Sequence, residues 1–230
     1  MNAAENFRGV LAKIEQARTR RHVALEEEII LVAVTKTHGV DLMREVIDAG
    51  ARHIGENRVQ EAAEKFPALD RSVTRHLIGH LQTNKVKAAV KLFDVIQSVD
   101  SEHLAASLDK AASQFGKVQD ILIQVNAARE VQKSGVAPED LNALINFVDG
   151  TNNLRLRGLM FIAPFVDDVE KCRPLFRQMR TLFDELKPTR EGFDFLSMGM
   201  THDYKIAVEE GANVLRVGTA IFGERLYPQT

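Results

Sequence analysis

Ile29-Ile30-Leu31-Val32-Ala33-Val34-Thr35-Lys36-Thr37 is the stretch that decides the fold. It opens with a continuous apolar run rich in β-branched side chains, the pattern of a strand buried on both faces. Strands of that kind belong to parallel sheets, where crossover helices supply the cover. Upstream, Phe7, Val10, Leu11, Ile14 and Ala17 recur at helical spacing, so an amphipathic helix over Asn6 to Arg21 precedes the strand. Downstream the two periods alternate. Helices are expected over Val40 to Ala49, Val59 to Phe66, Gln82 to Leu92, Leu104 to Phe115, Asp140 to Val148, Val169 to Leu186 and His202 to Glu210. Strands are expected at Arg52 to Gly55, His76 to Ile78, Val95 to Val99, Ile121 to Val125, Leu154 to Phe161, Phe195 to Met198 and Val214 to Val217. Pro174 is expected to kink its helix.

About eight strand–helix units follow the leading helix, the number that a (β/α)8 barrel requires. No Pro/Gly/Ser-rich linker divides the chain, so residues 1–230 read as one α/β domain, with 1–24 as a leading helical segment packed on the barrel. The alternative is a doubly wound open sheet, but the G-x-G-x-x-G turn expected after its first strand is absent.

Of the 230 residues 45% are hydrophobic, and 30 Lys+Arg against 32 Asp+Glu leave a net charge of −2. A general nucleic-acid binder or a protein steered to anionic membrane needs an excess of cations, so neither class fits. Cys172 is the single cysteine, which excludes an intrachain disulfide and a Cys-based zinc site. The apolar runs are too short to cross a bilayer and the N-terminus lacks a signal-peptide core, so a cytoplasmic location is expected.

A barrel carries its site at the C-terminal ends of its strands. Lys36 directly follows the first strand and should emerge at the mouth, where lost hydration favours the neutral amine that a Schiff base needs. The alternative is a lysine that snorkels from a strand end. Gly55-Glu56-Asn57 and Gly79-His80-Leu81-Gln82-Thr83-Asn84-Lys85 are polar clusters after the next two strands, and Asn57 and Asn84 fit equally well as helix N-caps. His76 and His80 stand four apart across a strand–loop junction, a poor metal spacing, and no metal site is expected. After the last two strands come Ser197-Met198-Gly199-Met200 and Arg216-Val217-Gly218-Thr219-Ala220. Barrels hold phosphate with these two loops and the N-terminus of a short extra helix. Gly218 allows close backbone approach, and Ser197 and Thr219 offer hydroxyls. An aldehyde for Lys36 and a phosphate for this cradle together suggest pyridoxal 5'-phosphate, with Arg216 donating to the pyridine nitrogen if it points into the barrel.

The motifs Ala33-Val34-Thr35-Lys36-Thr37, Ile54 to Glu61, His76 to Lys85, Ile123-Gln124-Val125-Asn126, Lys133-Ser134-Gly135, Arg157-Gly158-Leu159-Met160, Leu196 to Met200 and Arg216 to Gly223 run in order through the chain. In these the sequence resembles the YggS-type pyridoxal phosphate homeostasis proteins, related to the barrel domain of alanine racemase. The resemblance implies a single-domain (β/α)8 barrel of fold type III that holds the cofactor as a Schiff base on Lys36. It further implies that Ser197, Gly218 and Thr219 bind phosphate, that Arg216 faces the pyridine nitrogen and that Asn57 lies beside the ring. The sequence departs from these relatives at Thr201-His202-Asp203-Tyr204, where a Ser and an acidic pair are usual.

Three functions compete. The first is a protein that stores or delivers pyridoxal 5'-phosphate without established turnover, with cofactor-requiring apo-enzymes as recipients; it is expected as a monomer, with a dimer as the alternative. The second is an amino-acid racemase, which needs an acid/base on each face of the α-carbon. Only Tyr204 and Tyr227 are available as the tyrosine that alanine racemases use, and the chain's shortness argues against this reading. A Schiff-base aldolase without cofactor is the third, and predicts a colourless protein.

Overall fold

The apolar run becomes Ile30–Val34 (β1) in a computed structural model that describes residues 2–23, 28–130 and 132–223. It is followed by His53–Glu56 (β2), Thr74–Leu77 (β3), Val95–Val99 (β4), Gln119–Val125 (β5), Leu154–Phe161 (β6), Phe195–Met200 (β7) and Val214–Val217 (β8). All neighbours pair in parallel and in chain order, and β8 returns to β1 to close the barrel, with Val32 opposite Arg216. The (β/α)8 architecture expected from the alternating periods is therefore the observed one. The open-sheet alternative is not.

The crossovers are Val40–Asp48 (α2), Val59–Lys65 (α3), Val86–Leu92 (α4), Glu102–Gln114 (α5), Leu141–Asp149 (α6), Arg173–Leu186 (α7) and Tyr204–Glu209 (α8), after a leading Ala3–Arg18 (α1) and before a short Thr219–Phe222 (α9). Asn2 caps α1 by accepting from the N–H groups of Ala4 and Glu5. Phe7, Val10 and Ile14 of that helix are buried, and Asn6 Nδ2 donates to the Ile221 carbonyl at 2.9 Å, so α1 packs on the barrel near α9. Residue 24, the end of the expected leading segment, lies outside the described residues. Pro174 does not kink α7: Val169–Cys172 is a separate 3-10 turn, and the proline sits in the helix's first turn, where its missing N–H has no partner to lose.

The core has two parts. Outward-facing strand residues such as Ala33, Ile54, Leu77, Ile96 and Leu215 pack against the helices in the larger cluster. Val95, Leu122 and Met160, with Phe195 and Ile162 against them, form a separate cluster that alternation places inside the barrel. Barrel interiors are ordinarily filled by branched apolar layers. Here much of the interior is polar, with His76, Gln97, Gln124, Ser197 and Arg216 all buried.

Candidate functional site

A cavity of about 300 Å³ opens where the strands end, lined by Lys36, Asn57, Arg216, Gly218 and Thr219 together with Val34, His38, Ile78, Ile162, Met200, Thr201, His202 and Gly223. Five of the six residues singled out in the sequence thus meet at one place.

Lys36 is held from both sides. Thr35 is fully buried and its hydroxyl donates to Glu56 Oε1 at 2.7 Å. Thr37 has φ +68°, a left-handed conformation that a β-branched residue adopts only under constraint. The constraint is visible: its N–H donates to Glu61 Oε1 at 2.5 Å and its hydroxyl to the Lys36 carbonyl at 2.6 Å. Lys65 on α3 closes the group, its Nζ donating to Thr35 O at 2.9 Å, Glu56 Oε1 at 3.0 Å and Glu61 Oε1 at 2.5 Å. Burial raises the Glu56 carboxyl above its ordinary range although Thr35 and Lys65 oppose it, and its second oxygen is buried without a hydrogen-bond partner. Sequence reading gave Glu56, Glu61 and Lys65 no role. The i, i+4 spacing of Glu61 and Lys65 on a helix was the available signal.

Arg216 is 3% exposed. Nη1 donates to Ser197 Oγ at 2.5 Å and Nη2 to the Phe161 carbonyl at 2.8 Å. Among the described residues no carboxylate hydrogen-bonds to it; Asp203 attracts it from a distance, and burial depresses the guanidinium to about 10. Two of its five N–H groups are accounted for by those bonds, and it forms part of the cavity wall.

Ser197 is the residue that the structure does not bring to the cavity. It is fully buried one layer below, where its hydroxyl donates to Gln97 Oε1 at 2.7 Å and accepts from Arg216. A second hydroxyl beside Thr219 lines the cavity, that of Thr201, whose Oγ1 accepts from the N–H groups of Gly218 and Ala220, both at a loose 3.4 Å. A side chain at Gly218 would press on Val34, its Cβ 3.3 Å from Val34 Cβ, so glycine keeps this wall open. Asn57 does not cap α3, whose N-cap is Arg58, so of its two sequence readings the cavity position is the one observed. Gly79 packs so tightly beneath it that an added Cβ would lie 2.3 Å from the Asn57 carbonyl.

His38 and His202, unremarked as site residues in the sequence, also line the cavity. His38 stacks on Phe222 of α9 at 4.7 Å between centroids, and His202 donates from Nε2 to the Val166 carbonyl at 3.0 Å. His76 and His80 part company, the first buried inside the barrel and the second half-exposed to solvent near Asp100. Tyr204, one of the two tyrosines available to the racemase reading, is buried in the outer core. Tyr227 lies outside the described residues.

Residues 12–226 match the family model described as alanine racemase, N-terminal domain. A pyridoxal phosphate homeostasis protein of Aquifex aeolicus is 42% identical over 229 residues, covering 99% of this chain and all (100%) of the relative. Among solved structures, PipY of Synechococcus elongatus PCC7942 with PLP bound is 39% identical with a TM-score of 0.82, covering 96% of this chain and 100% of that one. An alanine racemase of Clostridium difficile 630 is similar in fold alone, at 16% identity and a TM-score of 0.76 over 97% of this chain and 61% of its own.

Proposed function

The chain belongs to the alanine racemase N-terminal domain family, and from that premise we propose that it binds pyridoxal 5'-phosphate between Lys36 and Arg216 as a cytoplasmic cofactor-homeostasis protein. The observation that carries the reading is Arg216: a guanidinium buried, among the described residues, without a hydrogen-bonded carboxylate is costly, and is retained where an uncharged acceptor in the adjoining cavity uses it. The cavity's other walls fit the same group. Lys36 offers an amine for the aldehyde, and the hydroxyls of Thr201 and Thr219 offer donors for a phosphate beside Gly218. When bound, the cofactor supplies an aldehyde for Schiff-base formation and a ring that accepts electrons.

Each residue has a distinct task. Lys36 holds the aldehyde carbon, its backbone fixed by the Thr35 and Thr37 bonds. Arg216 donates to the pyridine nitrogen, which keeps that nitrogen unprotonated and weakens the ring as an electron sink. Asn57 flanks the ring. Ser197 orients Arg216 rather than touching phosphate. Release to apo-enzymes that need the cofactor, and action as a monomer, belong to the same proposal.

Purified protein is expected to show a visible absorbance band that Lys36→Ala abolishes. Retention of the band in the variant refutes the lysine's role. Incubation with L-alanine in deuterated water is expected to give no α-proton exchange above a free-cofactor control; stereoinversion at enzymatic rates would favour the racemase reading.

A further inference from the structure

Five interior side chains from five strands are joined end to end. Arg216 on β8 donates to Ser197 Oγ on β7 at 2.5 Å, and Ser197 donates to Gln97 Oε1 on β4 at 2.7 Å. Gln97 Nε2 meets His76 Nδ1 on β3 at 2.9 Å, and His76 Nε2 meets His53 Nδ1 on β2 at 3.0 Å. Arg216, Ser197, Gln97 and His76 are buried, while His53 is half-buried at the first residue of β2 and borders a hollow beneath α1, at the end of the barrel away from the cavity.

The chemistry of the groups fixes the direction of every bond. A guanidinium only donates, so Ser197 accepts from it and spends its single proton on Gln97. With its oxygen thus occupied, Gln97 offers its amide N–H to His76 Nδ1. His76 must then carry its proton on Nε2 and donate to His53 Nδ1, which leaves the proton of His53 on Nε2. Each imidazole serves as one acceptor and one donor, which requires both to be neutral. Burial ensures this, pushing His76 down to about 3 and lowering His53. A reversed Gln97 would set its NH2 against the Ser197 hydroxyl, and that hydroxyl would then have to accept from both sides.

We infer that Gln97, His76 and His53 are positioning residues that hold Ser197 as an acceptor, fix Arg216 with its remaining N–H groups toward the cavity, and couple the far rim of the barrel to the ring-nitrogen end of the site. The inference rests on the cofactor reading above for its ligand, while the direction of the chain stands on the protein's own atoms. Polar groups in a barrel interior are tolerated only when every one is bonded, so loss of an inner link is transmitted along the chain rather than absorbed by water.

The test uses the full chain as wild type, Gln97→Met, His53→Phe and His53→Gln. Each is titrated with pyridoxal 5'-phosphate and with an analogue that has carbon in place of the ring nitrogen. Wild type is expected to prefer the true cofactor. That preference falls roughly tenfold in Gln97→Met, the scale of one charge-assisted hydrogen bond. It falls about threefold in His53→Phe, as a partial loss passed along the network. In His53→Gln, whose side-chain oxygen can still accept from His76, it returns close to the wild-type ratio. Affinity for the analogue stays nearly constant throughout. If Gln97→Met does not fold, the His53 pair carries the test, because that side chain lies half-exposed at the rim. Nitrogen-15 spectra of the histidines are expected to place the His76 and His53 protons on Nε2. An unchanged preference in folded His53→Phe, no preference in wild type, or a proton on Nδ1 of His76 overturns the relay. A wild type that binds no cofactor overturns the functional reading instead, and the histidine spectra then decide the chain's direction alone.

Discussion

Lys65→Met removes the cation that compensates two carboxylates behind the Lys36 loop. Lys65 is 13% exposed and Glu56 fully buried, so the variant leaves an uncompensated carboxylate in the space between β2 and α3. Breaking such a pair costs about 3 kcal/mol, the low end of the range because Lys65 keeps some contact with water. For a chain of this size that corresponds to a fall in melting temperature of about 6–12 °C. The loss depends on pH in a defined direction. Burial already raises Glu56 above its ordinary 4.5, and removing Lys65 raises it further. The folded variant then binds a proton that the unfolded chain does not, so its stability is lowest at neutral pH and rises as pH falls through the folded value toward 4.5. Thermal denaturation near pH 7 and about pH 5 should show the variant recovering toward wild type in acid. The double variant Glu56→Gln/Lys65→Met, which removes the stranded charge, should regain more than half of the loss. A penalty below about 1 kcal/mol, the worth of an exposed pair, or a penalty that is the same at both pH values, would refute the buried-pair account.

Thr201→Val deletes the hydroxyl at the start of α9 and should weaken competition by inorganic phosphate roughly tenfold, as measured by displacement of the bound cofactor, because a hydroxyl–phosphate bond is charge-assisted. Ser197→Ala should leave that competition nearly unchanged. Glu210, which accepts from Arg173 and Arg177, has its carboxyl held below the ordinary range, the two arginines outweighing the effect of burial. A depressed carboxylate contributes stability above its unfolded value of 4.5 that is lost as pH falls through the folded value. Glu210→Gln should therefore be less stable at neutral pH and show a flatter acid limb in denaturation; an acid limb identical to wild type counts against the pairing.

The barrel was legible because most strands carry an apolar run, as Ile30–Val34 does, and the crossovers carry helical stripes. Val95–Val99, Leu154–Phe161 and Val214–Val217 agree with the apolar runs to the residue. The disagreements arise where pairing rather than hydrophobicity sets the end. β3 starts at Thr74 because Thr74 pairs with His53, and β7 runs on to Met200 because Met200 pairs with Arg216. The cavity lining was legible at Lys36, Asn57, Gly218 and Thr219 through one rule, that barrel chemistry sits beyond strand ends, whereas Arg216 lies within β8 and reaches the cavity from the barrel interior. Ser197 fell outside that rule because it lies within β7, three residues before its end at Met200. Thr201, the first residue beyond β7, obeys the rule. The sequence contained that distinction, but only once the strand's true end is known.

The two ends of the cavity are held by networks of opposite character on opposite sides of the barrel wall. Outside, between strand and helix, Glu56, Glu61 and Lys65 fix the backbone around Lys36 with charges. Inside, Arg216 is held by the Phe161 carbonyl of β6 and by a chain of neutral side chains from β7, β4, β3 and β2 of the closed sheet. The pairing of β1 with β8, which sets Val32 opposite Arg216, is the rigid element between them. On the proposed reading, the lysine that forms the covalent bond is tied to the charged, partly solvated support. On the same reading, the arginine that presents N–H groups in one orientation is tied to the neutral, buried one. In the outer network Glu61 and Lys65 keep some contact with solvent, whereas Ser197, Gln97 and His76 of the interior chain are buried, so a bond lost there is not replaced at the surface. That difference explains why the costlier device, a buried guanidinium on a string of neutral acceptors, stands at the end of the site where direction matters most.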